Sequence, residues 1–241
     1  MNNEFFELMQ RYGIHSCPNR YKYYFKQFFR GYSFEKKRVL DIGGGTGQLS
    51  LFAAANGASD VVCLEPEDSG STSGVTTIFN KLISEGGYKQ INILPIIFQD
   101  YVSRDVGNFD IIVSNASINH LDEDAVIDLQ TNTKSVARYK ALVRQMYDIL
   151  IPSGVIIIAD VTRRNLFGDL GIKSPICKSI EWQKHQNPRF WRELFEEAGF
   201  KLVRKEYQTF NVFKDFGRYI LGNPVFSYIY GSLFILEFRK E

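Results

Sequence analysis

Four glycines and one acidic residue in the first third of the sequence have a spacing that could hold a small ligand. The segment VLDIGGGTGQLS runs from Val39 to Ser50, with an acid at Asp41 inside its apolar start. Glycine tolerates positive φ, and because it lacks a Cβ it lets a ligand lie against the backbone. A helix that begins just after such a turn directs its free N–H groups toward the ligand. The segment therefore predicts a buried strand, a tight turn and a helix start.

A second acid, Glu65, follows the apolar segment Asp60–Leu64, about 20 residues beyond the glycines, where nucleotide-binding α/β units place the acid that accepts hydrogen bonds from a ribose. A surface glutamate at a strand end is the alternative.

The glycine spacing bears on the type of cofactor. A dinucleotide turn has the pattern G-x-G-x-x-G, and counted from Gly43 its third glycine would fall at Gln48. The spacing thus opposes an NAD-dependent dehydrogenase.

The pattern Asp41-x-Gly43-x-Gly45-x-Gly47 resembles motif I of the class I S-adenosylmethionine (SAM)-dependent methyltransferases. The resemblance covers roughly residues 38–209 and the last strand. It implies SAM as the cofactor, in a turn that wraps the amino-acid end of this phosphate-free sulfonium. It also implies that an acid after the third strand, Asp100 here, contacts the adenine amino group. The predicted cofactor-binding residues are Asp41, Gly43, Gly44, Gly45, Gly47, Gln48, Glu65, Pro66, Gln99, Asp100, Tyr101 and Asn115.

Buried apolar strands alternate with helical segments through most of the chain, which predicts an α/β fold with a doubly wound, mostly parallel sheet. The resemblance implies seven strands, the last antiparallel, in a Rossmann-like methyltransferase fold. The predicted strands are Val39–Ile42, Asp60–Glu65, Ile91–Phe98, Phe109–Ser114, Val155–Ala159, Phe200–Tyr207 and Leu233–Arg239, and the clearest helices are Thr133–Leu150, ending before Pro152-Ser153-Gly154, and Arg189–Ala198.

Length and composition indicate one globular domain spanning residues 1–241. Residues 1–34 predict a helical N-terminal cap, and residues 162–187 and 210–230 are expected to be insertions on the substrate side. The formal net charge is +2, without a basic cluster, so no nucleic-acid partner is expected. The three cysteines lie far apart, no apolar run could cross a membrane, and no signal peptide is apparent. We therefore expect a cytoplasmic protein, with a homodimer left open.

His120 follows the fourth predicted strand, near the edge of the sheet at which open α/β folds bind ligands. Its unperturbed pKa near 6.5 makes it the first candidate for a general base. The alternative is a structural histidine that holds the loop or caps the next helix through Asp122. The expected substrate-binding residues are Tyr21, Tyr24, Asn119, Arg163 and His185, and no metal site is expected.

The sequence favours SAM-dependent methyl transfer to a small molecule, at oxygen, with an apolar or aromatic part. A non-catalytic SAM-binding partner subunit is the main alternative, and a dehydrogenase is a weaker one. The Asn/Asp-Pro-Pro-aromatic motif of enzymes that methylate DNA bases is replaced here by Ser114-Asn115-Ala116-Ser117. A cation-dependent enzyme is suggested by Asp160 and Asn165, but Ser114-Asn115 supplies no acid partner.

Overall fold

A computed structural model describes residues 3–66, 74–173, 180–209 and 211–241. The chain divides into two compact units, residues 1–114 and 115–241. Most of the serine- and glycine-rich segment Ser69–Gly74, whose composition predicts a loop, and one of the three cysteines, Cys177, lie outside the described residues. The prediction of a single domain stays a prediction.

The first unit is a layer of parallel strands with helices between them. Its elements are α1 (Asn3–Arg11), α2 (Pro18–Phe29), β1 (Arg38–Ile42), α3 (Gln48–Ala55), β2 (Asp60–Leu64), α4 (Val75–Gly86), β3 (Ile91–Leu94), α5 (Phe98–Val102) and β4 (Phe109–Asn115). β1 pairs in parallel with both β2 and β4, and its Val39 lies opposite Val61 and Ile111. β2 in turn pairs in parallel with β3. The side chains of β1 after Arg38 are all buried, as expected for a central parallel strand.

The second unit contains the long strand β5 and an antiparallel pair. Its elements are α6 (Glu123–Ile127), α7 (Thr133–Asp148), β5 (Leu150–Val161), α8 (Leu166–Asp169), α9 (Pro188–Glu197), β6 (Phe200–Tyr207), α10 (Lys214–Leu221), α11 (Pro224–Phe226) and β7 (Leu233–Lys240), with 3₁₀ turns at Ile118–His120, Trp182–Lys184 and Asn211–Phe213 and a π turn at Ser227–Gly231. β7 is antiparallel to both β5 and β6. Asn187 caps α9 by accepting the N–H of Arg189 at 2.8 Å, as its sequence predicts.

Across the described residues, seven strands form a mixed sheet in the order β3-β2-β1-β4-β5-β7-β6. The predicted fold class is confirmed: the sheet is mostly parallel, its last strand is antiparallel, and two helices precede it. No helix in the described ranges is both long enough and apolar enough to span a membrane.

Two element boundaries differ from the prediction. β3 ends at Leu94, and Phe98 begins α5 instead of ending the strand. Pro95 follows β3 and has no N–H to continue a ladder. In the second unit, β5 begins at Leu150 and runs through Pro152, where a break was expected. Its register with β7 starts only at Val155, so the proline does not interrupt that ladder.

An aromatic cluster joins the N-terminal helices to α3. The rings of Phe25 and Phe29 stack on Phe52 with centroids 4.2 and 5.3 Å away, and Phe5 meets it edge-on at 5.5 Å. All four side chains are buried. Aromatic pairs of this kind contribute beyond the area that they bury. The helical cap is therefore part of the core of the first unit.

We expect Phe52→Ala to lower the free energy of unfolding by about 3–5 kcal/mol, because it removes the ring shared by three helices and leaves a cavity. Urea unfolding followed by circular dichroism measures the effect. Ile78→Ala, at a position that is exposed in the same unit, is the control, with an expected cost below about 1 kcal/mol. Equal effects of the two substitutions would contradict the role assigned to the cluster.

Candidate functional site

The glycine turn connects β1 to α3 and leaves open space over one of its residues. Gly45 has φ of 55°, and a Cβ built on it would meet no atom within 4 Å. Gly47 has φ of 74°, and a Cβ added to it would collide with the Phe79 ring. Gly47 is thus required by packing, whereas Gly45 is required by its backbone conformation and borders free space. A ligand could lie directly against the backbone at Gly45.

Asp41 holds the helix that begins after the turn. Its Oδ2 accepts the backbone N–H of Ser50 at 3.2 Å and the Ser50 hydroxyl at 2.7 Å. The N-cap residue of α3 is Gly47, which has no side chain to cap the helix, so Asp41 satisfies one of the free N–H groups of the first turn from the neighbouring strand. Asp41 is buried, and burial raises the pKa of its carboxyl from 3.8 to about 6. Its role in this geometry is to position the turn.

Glu65 holds the other side of the turn. Its Oε2 accepts the N–H of Gly45 at 2.7 Å, and the N–H groups of Gly43 and Gly44 donate to the Leu64 carbonyl at 2.8 and 3.3 Å. Because these three N–H groups already have acceptors, and one acceptor is a carboxylate, the turn is a poor cradle for a phosphate. Among the described residues, Oε1 of Glu65 has no hydrogen-bond partner, so one carboxylate oxygen can accept hydrogen bonds from a ligand.

These features fit SAM. Free space over Gly45 suits the amino-acid end of the molecule, and the available oxygen of Glu65 suits ribose hydroxyls, which are donors. The negative charge of Glu65 favours a cationic ligand over a pyrophosphate.

Tyr21 connects the N-terminal helices to the turn. Its hydroxyl donates to Oε1 of Gln48, and Nε2 of Gln48 donates to the Thr46 hydroxyl at 3.2 Å. Burial raises the pKa of Tyr21, so it remains a donor at any ordinary pH. Tyr24 stacks on Tyr21, with ring centroids 6.4 Å apart. Gln48, one of the predicted cofactor-binding residues, therefore links α2 to the ligand turn.

The structure does not bring every predicted cofactor residue to the turn. Pro66 is exposed directly after Glu65, and α5 carries a half-buried Gln99 and an exposed Asp100. Tyr101 is buried, with its ring 6.4 Å from that of Phe109 at the start of β4. This is the opposite end of the strand layer from the glycines, and a role of Tyr101 in cofactor binding stays a prediction that the proposed site does not use.

In the second unit, Asn115 is exposed, and His120 lies on the surface in a chain of hydrogen-bonded side chains. Its Nδ1 is 2.6 Å from Oε1 of Glu123, whose Oε2 is 2.9 Å from the Lys184 ammonium. The hydrogen bond from Lys184 lowers the pKa of Glu123, and that of His120 adds to the effect. The His120 side chain is 50% exposed, so water screens this pair.

His185 forms a buried pair. Its Nδ1 lies 3.0 Å from Oδ1 of Asp160, and the side chains are 11% and 1% exposed. Asp160 ends the apolar run of β5, and the sequence suggested it only as a metal ligand. An acid inside a buried strand is a signal that could have identified it. Asn119 is also fully buried.

Arg163 lines an open cleft of about 640 Å³ together with Arg164, Asp169 and Arg189. The Arg163 guanidinium donates to the Ile127 carbonyl at 3.4 Å.

Asn165 caps α8 by accepting the N–H of Gly168 at 2.9 Å. In the described ranges, no group of three or more His, Cys, Asp or Glu side chains could hold a metal ion.

The sequence model of a family described as a methyltransferase domain matches residues 11–205, which is most of the chain. No curated protein matches the sequence significantly.

Solved structures share the fold at low identity. One, described as an S-adenosylmethionine-dependent methyltransferase from Listeria monocytogenes, is 12% identical, with a TM-score of 0.61 over 94% of this chain and 100% of its own. Another from Mesorhizobium loti is 14% identical, with a TM-score of 0.57 and coverages of 87% and 93%. The [4+2]-cyclase SpnF is 16% identical, with a TM-score of 0.58 and coverages of 92% and 80%. Identities this low show the fold alone.

We expect Gly45→Ala to weaken SAM binding at least about tenfold, a loss of about 1.4 kcal/mol, because the new methyl group projects into the free space over the turn. Calorimetric titration measures it. Gly87→Ala is the matched control, since Gly87 also has positive φ and open space but lies at the end of α4. Both variants should lose about 1–2 kcal/mol of stability from backbone strain. Equal SAM affinity in the two variants would place the cofactor elsewhere.

The raised pKa of Asp41 leads to a second prediction, which concerns how the free energy of unfolding depends on pH. For an acid whose folded-state pKa is raised, the stabilising contribution is complete below pH 3.8 and is lost as the pH rises through about 6. Asp41→Asn keeps an acceptor for Ser50 and cannot ionise. Its stability relative to the wild type should therefore rise by about 2.4 kcal/mol between pH 4 and 7.5, because about 1.8 pKa units of the shift fall in this range at about 1.36 kcal/mol per unit. Urea unfolding across this pH range tests it, and a constant difference would show that Asp41 does not titrate there.

Proposed function

The chain belongs to the methyltransferase domain family and is a SAM-dependent enzyme, and we propose that it methylates an oxygen atom of a small molecule that has an apolar or aromatic part. In this proposal the backbone of Gly43–Gly47 holds the amino-acid end of SAM, and Glu65 accepts its ribose hydroxyls. Asp41 and Gln48 position this turn. When bound, SAM supplies an electrophilic methyl group, and the protein supplies orientation and a site from which water is excluded.

The proposal that the acceptor has an apolar part rests on one observation in the second unit. Phe216, Tyr219 and Ile220 on α10 are all exposed, Phe216 by 68% and Tyr219 by 80%. Their spacing of three and four residues places them on one helix face. The Arg218 side chain of the same helix donates to Glu206 on β6 at 3.0 Å, which fixes α10 on the unit. Exposed apolar groups of this kind mark binding surfaces, so an apolar acceptor is favoured over a nucleic acid.

The alternatives differ in what supports them. An NAD-dependent dehydrogenase is disfavoured because the Gly45 N–H already donates to the Glu65 carboxylate, where a pyrophosphate would need free donors. The same fold serves a [4+2]-cyclase in SpnF, so the fold alone does not specify the transfer to an oxygen atom. The non-catalytic SAM-binding subunit is the alternative that the sequence left open, and no contact among the described residues favours it. A cytoplasmic location and a possible homodimer remain part of the proposal.

An acceptor assay tests this function. We expect the protein to convert SAM to S-adenosylhomocysteine when an alkylphenol is added. Mass spectra should then show that the alkylphenol has gained a methyl group. Phe216→Ser combined with Tyr219→Ser should raise the acceptor KM about tenfold, which corresponds to about 1.4 kcal/mol of lost apolar contact, without changing SAM affinity. Ile78→Ser, also exposed but in the first unit, is the control and should leave KM unchanged.

Two results would contradict the proposal. SAM binding without methylation of any acceptor would favour the non-catalytic alternative. An unchanged KM together with a change in oligomeric state, measured by light scattering, would assign the α10 face to a contact between subunits.

A further inference from the structure

An open cleft in the second unit combines cationic side chains with apolar walls. Its volume is about 450 Å³, and it shares Arg163 and Asp169 with the cleft of about 640 Å³ described above. We call it the Trp182 cleft, and its lining includes Arg163, Asp169, Ile172, Lys173, Ile180 and Trp182. Sites for small molecules have this size, with apolar walls and a few polar groups that orient the ligand.

The guanidinium of Arg163 has a free bidentate edge. Its Nη1 donates to the Ile127 carbonyl at 3.4 Å, and the side chain makes no other hydrogen bond or ion pair to the described residues. Nε and Nη2 form one of the edges with which arginine binds both oxygens of a carboxylate. Because Arg163 is half-buried, water screens its charge less than that of a fully exposed arginine.

The buried side chain of Asn165 fixes the backbone from which Arg163 projects. Asn165 is completely buried, and its Nδ2 donates to the carbonyls of Thr162 and Arg163 at 3.1 and 3.2 Å. Its Oδ1 accepts the N–H of Gly168 at 2.9 Å. One amide therefore ties three backbone groups together. The backbone at Arg163 is held in place before a ligand binds, which lowers the entropy lost on binding.

Trp182 supplies an aromatic wall that is held from two sides. The backbone of α8 packs against it, because a Cβ built on Gly168 would lie 3.2 Å from its Cγ. The His185 ring meets the indole at an angle, with centroids 6.5 Å apart. Ile172 and Ile180 line the same cleft, and Ile172 is 51% exposed. An aromatic ring that covers these groups gains free energy from the apolar area that it buries.

The charges in the lining fit a singly charged anion. Lys173 is exposed and, like Arg163, has no acidic partner in the part of the chain that the structure describes. Asp169 is already paired, since its Oδ2 lies 3.3 Å from the Arg164 guanidinium and accepts the Tyr228 hydroxyl at 3.1 Å. Two cations and one acid line the cleft. They attract a carboxylate, while the Asp169 charge disfavours a dianionic phosphate.

We propose that the Trp182 cleft binds an aromatic carboxylic acid. Arg163 binds the carboxylate through its Nε–Nη2 edge, Lys173 adds a second positive charge, and the ring of the ligand lies against Trp182 and Ile172. This inference goes beyond the proposed function and does not rest on it. All of these residues belong to the second unit, binding needs no SAM, and the site holds whether or not the bound acid is methylated.

Calorimetric titration of the full-length protein without SAM tests the need for a carboxylate. The matched probes are 4-propylbenzoate, the neutral 4-propylbenzamide and 4-propylphenyl phosphate. We expect a submillimolar Kd for the benzoate and an affinity at least about tenfold lower for the benzamide, because the amide has no charge for Arg163 to pair with. The phosphate should also bind more weakly than the benzoate. Equal binding of benzoate and benzamide, tighter binding of the phosphate, or no binding of any probe would overturn the proposal.

Substitutions in the cleft test the residues. Arg163→Gln should weaken binding of the benzoate about tenfold or more and leave that of the benzamide within twofold. Arg192→Gln is the matched control, because it removes the same charge from the exposed face of α9, where Arg192 pairs with Glu196, and it should change neither affinity. Equal effects of the two substitutions on benzoate binding would overturn the proposal.

Lys173→Gln is a second variant, at an exposed position where the fold does not depend on the side chain. It should weaken benzoate binding about threefold, as expected for an exposed charge pair. If Arg163→Gln does not fold, an unchanged benzoate affinity in Lys173→Gln overturns the proposal.

Tryptophan fluorescence locates the bound ring. The chain has two tryptophans, of which Trp191 is fully buried and Trp182 lines the cleft. We expect 4-propylbenzoate to change the emission with the Kd found by calorimetry. Trp182→Phe should lose this change while it still binds the probe. Unchanged emission in the saturated wild type, or a change that persists in Trp182→Phe, would overturn the assignment of the ligand to this cleft.

Discussion

The hydrogen bond between the Gly45 N–H and the Glu65 carboxylate is the contact on which the candidate cofactor site depends. It joins the turn after β1 to the residue after β2 over 2.7 Å, and the N–H groups of Gly43 and Gly44 reinforce it by donating to Leu64. These bonds close the turn against β2, so its free surface lies over Gly45. They also place a carboxylate where a dinucleotide would need N–H donors. One interaction thus shapes the site and selects against phosphate.

Asp41 shows how a constraint at one position is met at another. Gly47 must be glycine because the Phe79 ring lies where its Cβ would be, and as a glycine it cannot cap α3. The Asp41 carboxylate, in the adjoining strand, bonds to Ser50 instead. The same burial that makes these bonds strong raises the pKa of Asp41. The acid of the motif thus has a structural task even before any cofactor binds.

The second unit contains two histidine–carboxylate pairs with different surroundings. His120 and Glu123 belong to a solvated chain of hydrogen-bonded side chains that includes Lys184. His185 and Asp160 lie in the interior, beside polar atoms that have no partner in the described chain. The same two types of side chain therefore interact through water-screened contacts in one place and in a nearly water-free environment in the other.

The sequence by itself determined the α/β class, the succession of strands and helices along the chain, the glycine turn and the place of Glu65, because periodicity, glycine spacing and strand-end acids are local patterns. It did not determine the short β3, the position of Tyr101 or the pairing of His185 with Asp160. Those depend on burial and on contacts between residues far apart in the chain, 25 positions in the last case. Only the tertiary structure sets which of two chemically equivalent histidines is removed from water, because burial depends on residues that are distant in the sequence.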